Sequence, residues 1–153
     1  YAKYLDCPMV LCNKSRKKAN EVDSMQIIGE VEGMDVILVD DIVDTAGTIT
    51  KAADLIMAGG ANSVRAIASH CIMSGPADQR VDDSALVEMV FTDSIPYHGN
   101  SKKVKQISVS GMLAETIRRV MENESISSQY LPESGCYNRS IVLLLSGQRR
   151  FVL

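Results

Sequence analysis

The stretch VILVDDIVDTAGTI, Val36 to Ile49, constrains the fold more tightly than any other part of the chain. Its four leading apolar residues, Val36 to Val39, form the run expected of a central strand covered on both faces. Asp40 and Asp41 stand at the carboxyl end of that run, and Asp44-Thr45-Ala46-Gly47-Thr48 then leads into a helical pattern. A buried strand, a short polar loop and a helix in direct succession imply an α/β fold, a mostly parallel sheet flanked by helices. Adjacent carboxylates repel and are costly to desolvate, so the working molecule must compensate them.

The same alternation recurs along the chain. Strand-like runs lie at Met9 to Cys12, Met25 to Glu32, Val36 to Asp40, Ser63 to Ser69, Leu86 to Thr92 and Gln106 to Val109. Ile49, Ala52, Ala53, Ile56 and Met57 share one face of a helix, and Gly59-Gly60 supplies its C-terminal stop. A second helix is expected from near Ser110, with Leu113, Ile117, Val120 and Met121 facing inward. Met25 to Glu32 and Val36 to Asp40 are close enough across Gly33 to pair instead as an edge hairpin. From Gln129 the pattern weakens: Ile141 to Leu145 reads either as an added edge strand or as part of a disordered, sticky tail.

With 153 residues, 46% of them apolar, one compact domain has the material for a core. A net charge of -3 gives no global case for nucleic acid or an anionic membrane as partner. Cys7, Cys12, Cys71 and Cys136 are scattered, with no C-x-x-C pair and no zinc-like histidine spacing, so a reducing, cytoplasmic setting is expected. Ile141 to Leu145 is far too short to span a bilayer. The chain opens at Tyr1 in YAKYLDCPMV, which reads as a helix end running through Pro8 into a strand; a piece of a longer protein is the expectation.

The acidic loop has a specific chemical sense. Asp44 to Thr48 can turn backbone N–H groups and two hydroxyls inward beside a positive helix N-terminus, an arrangement that suits a phosphate. A sugar phosphate reconciles phosphate and carboxylates: the phosphate takes the amides and threonines, while its hydroxyls donate to Asp40 and Asp41. Mg²⁺, which takes oxygen ligands from carboxylates and substrate, offsets the remaining charge. A Walker B element is unlike this chain, which lacks G-x-x-x-x-G-K-[ST]. A receiver-type acid pocket lacks its separate phosphoacceptor strand, and a solvated turn with a helix cap stays open on spacing alone.

The string VDDIVDTAGTI resembles the phosphoribosyl diphosphate signature shared by phosphoribosyltransferases and ribose-phosphate pyrophosphokinases, the PRPP synthetases. The neighbouring segments favour the second family. CNKSRKKANEV resembles its basic loop of K-x-R-x-x-x-N form, QIIGEVEGMDVILVDD its lead-in, and SGPADQRV and SVSGMLAETIRRVMENESISS its later segments. The similarity covers about residues 1 to 128 and leaves 129 to 153 as an unmatched tail, whether extension, cloning remnant or frame-shifted read-through.

The resemblance implies the second of two type I phosphoribosyltransferase-like domains, and transfer of the β,γ-diphosphoryl group of ATP to the C1 hydroxyl of ribose 5-phosphate. Asp40 and Asp41 would then hold ribose hydroxyls and Mg²⁺, directly or through substrate or water. Asp44, Thr45, Ala46, Gly47 and Thr48 would cradle the 5-phosphate, and Lys14 and Arg16 would act on the ATP phosphates. A homo-oligomeric parent, inactivity of the chain alone and adenine contacts outside it are further expectations from the family. The alternatives are a phosphoribosyltransferase that consumes PRPP and a non-catalytic, PRPP-synthetase-associated subunit.

Overall fold

The computed structural model describes residues 2, 6–15, 24–129 and 140–145. In chain order these form β1 (Met9–Ser15), β2 (Ser24–Ile28), β3 (Asp35–Val43), α1 (Gly47–Ala58), β4 (Ser63–Cys71), α2 (Ala77–Asp83), β5 (Glu88–Thr92), β6 (Val104–Ile107), α3 (Ser110–Met121) and β7 (Ser140–Leu145). A short 3₁₀ turn, Ser127–Gln129, follows α3. The strands join one seven-stranded sheet in the order β2-β1-β7-β3-β4-β5-β6. Every neighbouring pair is parallel except β1 with β2. Among the described residues, no helix is long and apolar enough to cross a membrane.

The apolar run that opens β3 explains its place inside the sheet. Val36 and Leu38 are buried, as are Val64 and Ala66 of β4 in the parallel register Val36↔Val64 and Leu38↔Ala66. Helix α1 covers this face with Ile49, Ala52, Ala53 and Ile56, all buried, and Met57 packs at the edge of the same core. The two alanines let the helix approach closely, and Ile56, wholly buried, contributes about 1.5–3 kcal/mol. The helix stops as expected: Gly59 N–H donates to the Leu55 carbonyl at 2.9 Å, and Gly60 takes a left-handed φ of 91°.

The edge hairpin between the second and third strands does not form. Strand β2 instead folds back antiparallel on β1, from Leu11↔Ile28 to Ser15↔Ser24, while β3 pairs with β4 and β7. The connection between β2 and β3 is tied to the end of α1, where Gly33 N–H donates to the Gly60 carbonyl at 2.8 Å. Asn62 N–H donates to the Met34 carbonyl, also at 2.8 Å, so the turn serves the βα unit and not a ribbon.

Three further elements differ from expectation. Strand β7 is interior, parallel to β1 on one side and to β3 on the other, where an edge strand or a sticky tail was expected. Helix α3 starts where expected, but its apolar residues do not face inward. Leu113 is 49% exposed, Ile117 and Val120 are each 61% and Met121 is 78%, because no described element packs over that face. Helix α2 has no counterpart in the sequence reading: seven residues, mostly polar, bury only Ala77 and Val81. It is held from outside itself. Tyr97 Oη donates to Asp78 at 2.7 Å, Ser101 Oγ to Asp82 at 2.5 Å, and Lys103 Nζ to the Ser84 carbonyl at 2.7 Å.

Candidate functional site

The site grows from the carboxyl end of β3, the side of an open α/β sheet where ligands gather. Asp40 and Asp41 lie inside the strand, which runs on to Val43. Asp40 is half-buried and Asp41 exposed, and Asp41 N–H donates to Asp40 Oδ1 at 2.9 Å. Burial pushes the Asp40 carboxyl up to about 6; the charge of Asp41 adds to this, and the Asp41 N–H bond opposes it. Ionised Asp40 is therefore a strained charge, relieved by a cation or a hydroxyl donor. Among the described residues, no three His, Cys, Asp or Glu side chains gather into a metal cage. Two carboxylates alone fit Mg²⁺, which keeps several waters and shares substrate oxygens.

Beyond Val43 the chain forms the loop into α1. The Val43 carbonyl accepts from the N–H groups of Ile72 and Met73, each at 3.1 Å, and the Asp44 carbonyl accepts from Ser74 N–H at 2.9 Å. The Ser74 hydroxyl donates to the Asp44 carboxylate. Arg80 of α2 donates from Nη1 to the Thr45 carbonyl at 2.8 Å. Ala46, buried, then takes φ 58° and ψ 1° as the residue before the helix.

No side chain caps α1 and no acidic residue sits in its first turn. The solvated-cap reading of the cluster therefore does not hold: Asp44 is engaged by Ser74, and the first amides of α1 keep their positive end. A cavity of about 430 Å³ opens here, lined by Met25, Thr45, Gly47, Thr48, Thr50, Lys51 and Arg80. Gly47 is tight against Arg80: a Cβ at this position would lie 3.3 Å from Nη1.

Thr45, Gly47 and Thr48 thus share one cavity, while Asp40, Asp41, Asp44 and Ala46 are not among its lining residues. Lys14 is the next-to-last residue of β1 and stands in register with Met25, itself a cavity residue. Arg16 lies outside the described residues. His70 sits at the end of β4 with Nδ1 3.0 Å from Ser94 Oγ. Lys51, Arg80 and Ser74 escaped the sequence reading as site residues, although SGPADQR had marked the segment that carries two of them.

The family described as phosphoribosyl synthetase-associated domain matches residues 7–131. Ribose-phosphate pyrophosphokinase of Porphyromonas gingivalis is 62% identical over 130 residues, which is 85% of this chain and 42% of that protein. The protein of the same name from Helicobacter hepaticus is 48% identical over 130 residues, with the same coverage. Among solved structures, the phosphoribosylpyrophosphate synthetase from Mycobacterium smegmatis superposes with a TM-score of 0.70 at 33% identity, covering 80% of this chain and 41% of that one. The chain therefore spans about two-fifths of the length of the relatives it matches. It belongs to the phosphoribosyl synthetase-associated domain family, and its fold is the phosphoribosyltransferase-like α/β sheet.

Proposed function

We propose that the chain carries the ribose 5-phosphate half of a ribose-phosphate diphosphokinase. In that reaction the C1 hydroxyl oxygen of ribose 5-phosphate bonds to the β-phosphorus of ATP, the bond between that phosphorus and the α-phosphate bridge breaks, and PRPP and AMP result. The observation that carries this reading is the uncapped N-terminus of α1, beside a cavity whose lining includes Thr45, Gly47, Thr48, Lys51 and Arg80. The 5-phosphate takes the Asp44–Thr48 backbone and hydroxyls, while Asp40 and Asp41 accept from the ribose hydroxyls. Mg²⁺ held beside Asp40 and Asp41, through substrate or water, supplies charge neutralisation for the phosphoryl oxygens. Lys14 and Arg16 stabilise charge developing on the transferring group, which needs positioned cations more than a covalent catalyst.

The relatives' name, ribose-phosphate pyrophosphokinase, favours a maker of PRPP over a consumer of it. The presence of Asp40, Asp41 and Asp44 together favours an active parent over a purely structural subunit. The parent works in this reading as a cytoplasmic homo-oligomer, without nucleic acid or membrane; the free thiols Cys7, Cys12 and Cys71 suit a reducing compartment. Titration of the ¹⁵N-labelled chain with ribose 5-phosphate and Mg²⁺ tests it. Amide signals of Asp44 to Thr48 are expected to shift, Asp41→Asn to weaken the response and Gly47→Val to remove it. If ribose 5-phosphate leaves these amides unmoved, the reading is wrong.

A further inference from the structure

The segment Ser74 to Arg80 grips the phosphate loop from outside it at successive residues. Ser74 meets Asp44 twice, through its N–H on the carbonyl at 2.9 Å and through its hydroxyl on the carboxylate. Six residues on, Arg80 meets the Thr45 carbonyl at 2.8 Å, and its guanidinium rests against Gly47, where a Cβ would lie 3.3 Å from Nη1. Ala46, between these grips, holds a left-handed φ of 58° that costs an L-residue roughly 1–2 kcal/mol. Such a conformation persists only when its surroundings over-determine it.

The base from which Arg80 reaches is itself fixed. Asp78, on the same short helix, accepts from Tyr97 Oη at 2.7 Å and from Asn100 N–H at 2.9 Å. Lys103 Nζ closes the other end on the carbonyls of Val81, Asp82 and Ser84, at 3.3, 2.9 and 2.7 Å. A guanidinium presented from this base and bonded to one carbonyl sets where the following peptide points.

We propose that Ser74 and Arg80 are positioning residues: they hold Asp44 to Gly47 so that the first amides of α1 face the cavity, and they keep the Asp44 carboxylate turned onto Ser74, away from the anion. This rests on the assignment of ribose 5-phosphate to that loop, but the grip itself is a property of the ligand-free chain.

The test uses the 153-residue chain with Arg80→Ala, Arg80→Lys and Ser74→Ala. Without ligand, Arg80→Ala is expected to speed hydrogen exchange about tenfold at the two amides whose bonds anchor the loop, Thr50 N–H on the Ala46 carbonyl and Ser74 N–H on the Asp44 carbonyl, the scale of one lost charged hydrogen bond. The melting temperature should fall by no more than the few degrees that one such bond is worth, with unfolding still cooperative. With ribose 5-phosphate the same variant should bind about tenfold more weakly. Lysine should restore part of both effects by keeping the charge without the planar fork. Ser74→Ala should act in the same direction as Arg80→Ala. Exchange at Thr50 and Ser74 unchanged in Arg80→Ala overturns the proposal, whatever the ligand does. Failure of the unsubstituted chain to bind ribose 5-phosphate, with exchange still accelerated in the variant, overturns the ligand assignment and leaves the grip standing.

Discussion

Asp40 shows how one residue couples the strand to its chemistry. Its carboxyl titrates near 6 in the folded chain against an ordinary value of 3.8, chiefly through burial. A raised folded value means that the native state holds its proton where the unfolded chain has released it. The ionised group therefore opposes folding: the penalty is absent below about pH 4, grows between about 4 and 6, and is fully present above 6. Asp40→Asn should raise the melting temperature at about pH 7.5, and the gain should vanish near pH 4. An equal gain at both pH values would dissociate it from the Asp40 charge. In the parent chain, binding of ribose 5-phosphate with Mg²⁺ should weaken as pH falls through 6, because the protonated carboxyl loses an acceptor and its charge. Ala46 makes a second case. Ala46→Val places a β-branched residue at φ 58° in a buried position and should cost about 2 kcal/mol or more by denaturant unfolding, with no loss if the loop can simply re-form another way. The turn from β3 through Asp44–Thr48 into α1 was legible because it is contiguous in sequence (acid pair, glycine, helix start), although the strand itself runs past the acid pair to Val43. Arg80 was not, because its partner carbonyl lies 35 residues away and nothing in a solvated Asp-Gln-Arg run announces the contact.

At the scale of elements, periodicity located most strands and two of the helices, since alternation and the face shared by Ile49, Ala52, Ala53 and Ile56 are consequences of burial on a sheet. Helix α3 marks the limit of that signal. Its pattern correctly makes Leu113, Ile117, Val120 and Met121 one stripe, but a stripe does not say whether anything covers it. Helix α2 was invisible for the opposite reason, since its stability comes from Tyr97, Ser101 and Lys103 and not from a face of its own. Strand β7 adds a third lesson: Ile141 to Leu145 advertises a strand, whereas its slot is decided by the free edges of β1 and β3. It lies beyond the residues 7–131 that match the family, yet pairs on both sides inside the sheet. A chain ended after Gln129 should therefore lose about 3 kcal/mol or more, since several ladder hydrogen bonds go at once, and should self-associate through the two bared edges. Thermal melting and size-exclusion elution read both effects; an unchanged melt in a monomeric truncated chain would remove β7 from the working fold.

For the molecule as a whole, binding and turnover make separable demands. In the proposed reading a sugar phosphate needs one βα junction, and the junction present is built from β3, the uncapped start of α1 and the contacts of Ser74 and Arg80. Diphosphoryl transfer needs in addition an ATP molecule held in line with the C1 hydroxyl, since catalysis of this kind rests on positioning and on cations at the developing charge. The relatives bring a much longer chain to that task, and this chain covers 42% of the length of each of the two bacterial proteins compared. The expected outcome is a chain that binds ribose 5-phosphate and leaves ATP intact. Incubation of the purified chain with ATP, ribose 5-phosphate and Mg²⁺, followed by chromatography of the nucleotides, should show no AMP above the buffer blank. AMP formation that depends on ribose 5-phosphate would mean that this one sheet positions both substrates, with Lys14 and Arg16 sufficient for the ATP phosphates.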